Sequence, residues 1–204
     1  GAYLDWYYTQ TGRKKEILIN DFHYTWLRDL PEMAQRRAPG NTCLQACESM
    51  FRGEHVHNNS KGCGGIMRVA PMALLDAGYA SRNENAYSLV ELAEAGGEIA
   101  ECTHKHPLAF LPASLLTILL YKVVPMAVKQ VQEDIARIIN ETLDMLDFIY
   151  IDKFESEKQY LRELSEKAIR LAHSDLSEAD AIRELGEGWV AEETWAIALY
   201  CAIR

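Results

Sequence analysis

The chain has 204 residues, of which 49% are hydrophobic and 25% are charged, and this composition excludes a disordered chain. Its formal net charge of -9 disfavours a nucleic-acid-binding surface, because neutralising phosphates requires clustered lysine and arginine. We therefore expect one compact domain over residues 1–204 that does not bind nucleic acid.

Cysteine content and hydropathy limit the cellular setting. The cysteines are odd in number and form no CxxC pair, so neither a disulfide framework nor a zinc ribbon is predicted. With no signal peptide at its beginning, the sequence predicts a reduced, cytoplasmic protein. The most apolar run, 107–121, has 15 residues. Because about 20 are needed to span a bilayer, we expect a fully buried core helix and no membrane partner.

Helical patterns follow one another along the chain, and period-two strand patterns are almost absent, so the sequence predicts an all-α fold. The glycine pair Gly96 and Gly97 falls inside one helical pattern and should lower stability unless another backbone packs close to it. The predicted helical segments are, in order, 41–51, 66–75, 85–104, 107–121, 125–151, 161–171, a helix starting at Ser177 and one starting near Ala191.

The segment 125–151 has apolar residues at steps of three and four, which predicts one long amphipathic helix. Its other face carries Asp144 and Asp147, which we expect to be exposed to solvent. The apolar positions are Val128, Val131, Ile135, Ile138, Thr142, Leu146 and Ile149.

The two ends of the chain carry few helix boundary signals. An apolar helical segment begins within a few residues of Gly1, and the chain stops at Arg204 inside another helical pattern without a glycine or proline. A fragment of a longer protein is the expectation, and a complete chain is the alternative.

The stretch NNSKGCGGIMRVAPMAL, 58–74, places three glycines immediately before an apolar helix. Glycines at this position let backbone N–H groups approach a phosphate at a helix N-terminus. A side chain at Gly62 or Gly64 would then fill the ligand's space or forbid a positive φ. The alternative is a plain loop whose glycines allow close helix packing. The residues leave both interpretations open, while the lack of a preceding strand and of a Gly-Lys-Ser/Thr run excludes dinucleotide-fold and Walker loops.

This stretch resembles the central signature of the ADP-ribosylglycohydrolase family, all-helical enzymes that remove ADP-ribose from proteins. Further segments agree in order and together resemble the central part of the family's domain: PGNTCLQA (39–46), CTHKHPLA (102–109) and GEGWVAEETWAIALYCA (186–202). The resemblance implies a hydrolase of a glycosidic bond. Its partner would be an ADP-ribosylated protein or a small molecule that contains ADP-ribose.

The resemblance also implies a substrate site. It places the substrate's pyrophosphate on one loop, where the family often has Asn at the position of Cys63, and it places two further residues beside the substrate. The implied substrate-binding residues are Gly40, Ser60, Lys61, Gly62, Cys63, Gly64 and His104.

His104 has alternative interpretations on the residues alone. Cys102, His104 and His106 alternate, as metal ligands on a strand would. On a helix, residues two apart point about 200° from one another and cannot share a metal. His104 is then either a helix-end histidine bound to backbone or a ligand-pocket residue.

Next to the start of the last predicted helix lie one tryptophan and two glutamates, for which we expect structural roles. We expect Trp189 to be a core aromatic, with a base-stacking platform as the alternative. We expect Glu192 and Glu193 to form a solvated helix start.

The resemblance implies two Mg²⁺ or Mn²⁺ ions, held in the family by a Thr-Asp-Asp and an Asp-x-Asp-Thr segment. Neither segment occurs in this sequence. Because hard cations need several converging oxygen ligands, we expect no metal ligand and no catalytic residue in this chain, which alone should be inactive. Three functions stay open: part of such a hydrolase, a catalytically inactive ADP-ribose-binding or nucleotide-binding module, or a helical interaction protein.

Overall fold

The computed structural model describes residues 1–11, 25–82, 86–129 and 134–204. Within these ranges it contains nine α-helices, three short 3₁₀ turns and no strand of a β-sheet, which confirms the predicted all-α fold. The chain divides into two compact units, Gly1–His57 and Asn58–Arg204. A single domain over residues 1–204 stays a prediction.

The first unit is built on two helices, α1 (Ala2–Thr11) and α2 (Asn41–Phe51), with 3₁₀ turns at Trp26–Asp29 and Pro31–Ala34 between them in sequence. An aromatic contact joins the helices: the rings of Tyr8 and Phe51 meet edge to face with centroids 5.8 Å apart.

The second unit surrounds one apolar helix, α5, whose residues from Leu108 to Leu119 are nearly all buried. By length and composition alone α5 could cross a membrane, but 61% of its most apolar window is buried inside the protein. Such burial is typical of a core helix, as predicted. The helices of this unit are α3 (Ala70–Ser81), α4 (Leu89–Glu101), α5 (Pro107–Lys129), α6 (Ile135–Ile149), α7 (Glu155–Ala172), α8 (Glu178–Leu185) and α9 (Ala191–Ile203).

Helices α4 and α5 pack closely at the glycine pair. A Cβ on Gly96 would lie 2.2 Å from Thr117 Oγ1, and one on Gly97 would lie 2.6 Å from Ser114 Oγ. The close approach expected to offset two helical glycines is therefore confirmed. Within the second unit, this contact fixes α4 against α5, and the C-terminal end of α4 leads into the candidate site.

The predicted helix boundaries around residue 125 were wrong. Helix α5 continues past residue 121 to Lys129, with Pro125 inside it, and the amphipathic pattern from residue 125 does not form one helix. Instead α6 starts anew because the Asp134 side chain accepts hydrogen bonds from the N–H groups of Ala136 and Arg137. Val128 is exposed on α5, and Val131 lies outside the described residues.

Asp144 and Asp147 on α6 are exposed as predicted, and both bind Arg162 of α7 at 3.0 and 2.9 Å. Ser177 caps α8 as predicted by accepting from the N–H of Asp180.

Helix α9 is anchored by a buried tryptophan. Trp195 is fully buried, and its Nε1–H donates to Ser165 Oγ on α7 at 2.8 Å. Since a buried indole N–H needs an acceptor, this bond fixes α9 against α7, and with it the N-terminus of α9 that borders the candidate site.

Candidate functional site

The polar stretch before the glycines is held by Asn58. Its Nδ2 donates to Thr103 O at 2.9 Å. Its Oδ1 accepts from the N–H groups of Ser60 and Lys105, both at 3.1 Å. One side chain therefore joins the loop to the segment that follows α4, and that segment carries His104.

The glycine loop also pairs with the segment that enters α9. The Cys63 N–H donates to Trp189 O at 3.0 Å, and the Ala191 N–H donates to Lys61 O at 2.8 Å. Gly62 and Val190 form an isolated antiparallel bridge between these bonds. The backbone of this pairing uses the Cys63 N–H, which is consequently not available to a ligand.

Trp189 was expected in the core, and this prediction was wrong. Its side chain is 74% exposed although its carbonyl group is held by Cys63. The pairing with the loop fixes the backbone of Trp189 and directs its ring outward, so an aromatic surface lies next to the glycine loop.

Glu192 was expected to be solvated, and this prediction was also wrong. Only 1% of it is exposed, and its Oε1 accepts a short hydrogen bond from Lys61 Nζ. Its Oε2 is enclosed and lacks a hydrogen-bond partner within the ranges described. The bond to Glu192 raises the pKa of Lys61, against the opposing effect of burial. Lys61 therefore stays protonated, with its charge largely balanced by a buried carboxylate.

Glu193 holds the turn before α9. Its Oε2 accepts from the N–H groups of Glu187 and Gly188 at 3.2 and 3.0 Å. Gly186 has a φ of +125°, and a Cβ there would lie 2.4 Å from Glu193 Cδ. Only glycine suits that position, so the turn that presents Trp189 is fixed by Gly186 and Glu193 together.

His104 lies after the end of α4, not on a helix, and is 3% exposed. Its Nδ1 is 2.7 Å from Thr103 Oγ1, so its ring is bound to a side chain and not to backbone. Burial lowers the pKa of His104 to about 4, with a smaller contribution in the same direction from the charge of Arg68. The ring is therefore neutral at physiological pH.

Two side chains border the position that a Cβ on Gly62 would occupy. A Cβ placed there would be 3.4 Å from His104 Nε2 and 3.5 Å from Ser60 Oγ, which are ordinary contact distances. Two polar groups therefore converge where this residue has no side chain. A positive φ is not the reason for the glycines, because the described glycines with positive φ are Gly53, Gly186 and Gly188.

The other loop glycines differ from Gly62. A Cβ on Gly65 would lie 3.0 Å from Ala100 Cβ of α4, so Gly65 allows close packing as the plain-loop interpretation expects. Outside the helices of the described chain, the N–H groups of Gly64 and Gly65 donate to no backbone carbonyl group. Gly62 N–H makes a long bond of 3.4 Å to Ser60 Oγ. The loop thus combines a packing glycine with N–H groups that take no part in the pairing to the segment before α9.

The structure brings most of the implied substrate residues together and adds others. Gly40 belongs to the first unit, where it precedes α2 as its N-cap residue with a φ of −62°. The residues that sequence reasoning overlooked are Asn58, Arg68 and Thr103, and it misjudged Trp189 and Glu192. Only a contact between residues far apart in sequence reveals them, and no local pattern carries that signal. The loop 60–64 and His104 lie next to one another in the second unit.

The described ranges contain no group of three His, Cys, Asp or Glu side chains that could hold a metal ion. Cys102 is exposed while His104 is buried, so these two do not share a site. The residues present here do not fit the two divalent ions that the resemblance implies.

Comparison with known proteins gives one match. No curated protein and no solved structure matches this chain. The model of one family, described as ADP-ribosylglycohydrolase, matches residues 1–204, the whole chain. On this match, and with the all-helical fold that accompanies it, the chain belongs to the ADP-ribosylglycohydrolase family.

Proposed function

We propose that this chain is part of a hydrolase that removes ADP-ribose from a modified protein side chain or a small acceptor. In this proposal the substrate's pyrophosphate lies on residues 60–65. The observation that carries it is the convergence of Ser60 Oγ and His104 Nε2 on the position where Gly62 has no side chain. Family membership supplies the substrate class.

Binding would rest mainly on neutral donors. Outside the helices of the described part, the N–H groups of Gly64 and Gly65 donate to no backbone carbonyl group, and His104 is uncharged. Lys61 keeps further N–H donors beyond the one that binds Glu192. Since each hydrogen bond to a charged group contributes about 1.5–3 kcal/mol, three or four of them support roughly micromolar affinity after the entropy of association is subtracted.

Trp189 would add a stacking surface for the adenine base. It is exposed, and its backbone is bonded to the loop itself. Stacking of a base on an aromatic ring contributes about 1–3 kcal/mol. In this proposal Trp189 is the base-stacking platform that the sequence analysis gave as an alternative. The loop and the segment 189–191 are then two parts of one site.

The chemical step is not assigned to residues here. Two Mg²⁺ or Mn²⁺ ions remain a proposal for the intact enzyme, and the described residues assemble no group that could hold either. An inactive ADP-ribose-binding module is therefore the second candidate, because the described residues form no cluster of side chains that could hold a metal ion. For either function we propose the cytoplasm as the location.

Calorimetry and an activity assay separate the functions. We expect ADP-ribose to bind, and AMP and ribose 5-phosphate, each with half of the ligand, to bind more weakly. Binding together with Mg²⁺-dependent or Mn²⁺-dependent release of ADP-ribose from a modified protein would establish the hydrolase. Binding without release identifies a binding module, and no binding of ADP-ribose overturns both and leaves an interaction protein.

A further inference from the structure

Three side chains form a continuous hydrogen-bonded chain that ends at the candidate site. The Arg68 guanidinium donates to Thr103 Oγ1 at 2.6 Å, and Thr103 Oγ1 lies 2.7 Å from His104 Nδ1. Arg68 is itself fixed by bonds to the carbonyl groups of Ile99 and Ala100 at the end of α4. A rigid helix end therefore determines where Arg68 places its charge.

The donors and acceptors in this series of hydrogen bonds determine which ring nitrogen of His104 carries the proton. An arginine can only donate, so Thr103 Oγ1 is the acceptor of the first bond. Thr103 is fully buried, and within the described residues His104 Nδ1 is the acceptor available to its hydroxyl proton. Nδ1 therefore accepts, and in the neutral ring Nε2 carries the hydrogen.

Nε2 lies at the edge of the His104 ring that borders Gly62. Nε2 is the nearest atom to the position that a Gly62 Cβ would occupy. No protein partner is found for Nε2 within the ranges described. The fully enclosed side-chain atoms without a partner are Asp76 Oδ2 and Glu192 Oε2, so Nε2 keeps some accessible surface.

We propose that Arg68 and Thr103 are positioning residues that hold His104 as a neutral Nε2–H donor, so that it gives a hydrogen bond, and not a positive charge, to a ligand oxygen beside Gly62. The identity of that oxygen, from pyrophosphate or ribose, rests on the proposed function. The state of the ring does not.

A neutral donor adds no pH dependence to ligand binding. The titratable and charged groups on the segments around His104 are Arg68, Lys61 paired with Glu192, Lys105 beside Glu101, and His106, whose N–H donates to Ser60 O at 3.4 Å. The depressed pKa of His104 lies below the range from about pH 5.5 to 8. His104 should then contribute no change in ADP-ribose affinity across that range, whereas a site that requires imidazolium would weaken about tenfold for each pH unit above the pKa.

Nitrogen-15 NMR of the histidine side chains in the ligand-free protein tests the ring directly, with His104→Gln to assign the signal. We expect a protonated Nε2 and an unprotonated Nδ1 at neutral pH. A protonated Nδ1, or an imidazolium ring, would overturn the proposal. This readout does not require ADP-ribose, whereas failure of the wild-type protein to bind ADP-ribose refutes the proposed function instead.

Two pairs of variants test positioning through ADP-ribose affinity. Thr103→Val removes the hydroxyl group and should weaken binding about tenfold and mix the two tautomers, while Thr103→Ser should restore both readouts. His104→Asn keeps an acceptor for Thr103 but loses the Nε2 donor, so it should bind more weakly than His104→Gln. Equal affinity of Thr103→Val and Thr103→Ser, with an unchanged histidine spectrum, would contradict the role of Thr103.

Discussion

Two glycine-containing regions of the second unit differ in what occupies the space beside their glycines. At Gly96 the missing side chain is replaced by protein, because Thr117 Oγ1 stands 2.2 Å from where a Cβ would be. At Gly62 the corresponding point is 3.4 Å from His104 Nε2 and 3.5 Å from Ser60 Oγ. A Cβ would overlap protein atoms at the first position, whereas at the second it would make ordinary contacts with two polar side chains.

This difference separates a packing glycine, Gly96, from Gly62, where a side chain would meet no overlap within the protein. A methyl group at Gly96 collides with a β-branched side chain whose hydroxyl is bound to Ala113 O, so the neighbour cannot move away cheaply. A methyl group at Gly62 fits the protein but fills a space that a ligand would use. Substitutions at the two positions should therefore affect different properties.

The largest expected effect is on stability at the α4–α5 contact. Gly96→Val should lower the free energy of unfolding by about 3 kcal/mol, because overpacking forces α4 and α5 apart. Urea denaturation measures it. The matched control is Gly78→Ala in α3, where a Cβ meets only the end of Arg82 at 3.7 Å, and helix propensity should raise stability by up to about 1 kcal/mol. Equal stability of the two variants would contradict the packing role of Gly96.

The opposite pattern is expected at the loop. Gly62→Ala should weaken ADP-ribose binding about a hundredfold, because its methyl group occupies the space beside His104. Its free energy of unfolding should change by less than about 0.5 kcal/mol. Calorimetric titration and denaturation on the same protein give both numbers. If this variant unfolds while ADP-ribose affinity is retained, Gly62 is a packing residue like Gly96.

Removing one partner of the Lys61–Glu192 ion pair should cost more unfolding free energy than removing the other. Lys61→Met leaves the buried Glu192 carboxylate without its partner and should cost about 2 kcal/mol of unfolding free energy. Glu192→Gln should cost less, since Lys61 is 42% exposed and regains water. Lys153→Met, at an exposed lysine, is the control. A larger loss in Glu192→Gln than in Lys61→Met would show that the pair is not held as described.

His104 should make the free energy of unfolding depend on pH. Because burial lowers its pKa to about 4, the unfolded chain binds the proton more readily than the folded protein between that value and about 6.5. The unfolding free energy should therefore fall by about 2 kcal/mol from pH 7 to pH 5 through this residue. His104→Asn should lose that part of the pH dependence, and His55→Asn, at an exposed histidine, should keep it. An equal fall in both variants would assign it to other groups.

Ser60→Ala should have the smallest effect. It removes one neutral hydrogen bond beside Gly62 and should weaken ADP-ribose binding by about 1 kcal/mol, or roughly fivefold. Ser156→Ala on the exposed face of α7 is the control and should leave affinity unchanged. A loss of protein stability instead of affinity would place Ser60 among the structural residues.

Sequence reasoning succeeded where the cause is local. The cap at Ser177 and the need for a close neighbour at Gly96 and Gly97 follow from short-range rules, and the structure confirms both. It failed for Trp189 and Glu192, whose exposures are the reverse of those predicted. Their positions depend on the pairing of 61–63 with 189–191, a contact between distant parts of the chain that no periodicity contains.

The most direct test of the binding glycine is an NMR titration with ADP-ribose that follows backbone amides in both regions. We expect the amide signals of Gly62, Gly64 and Gly65 to shift in a saturable way, while those of Gly96 and Gly97 remain where they are. Saturable binding that leaves the loop amides unshifted would contradict the assignment of residues 60–65 as the pyrophosphate site.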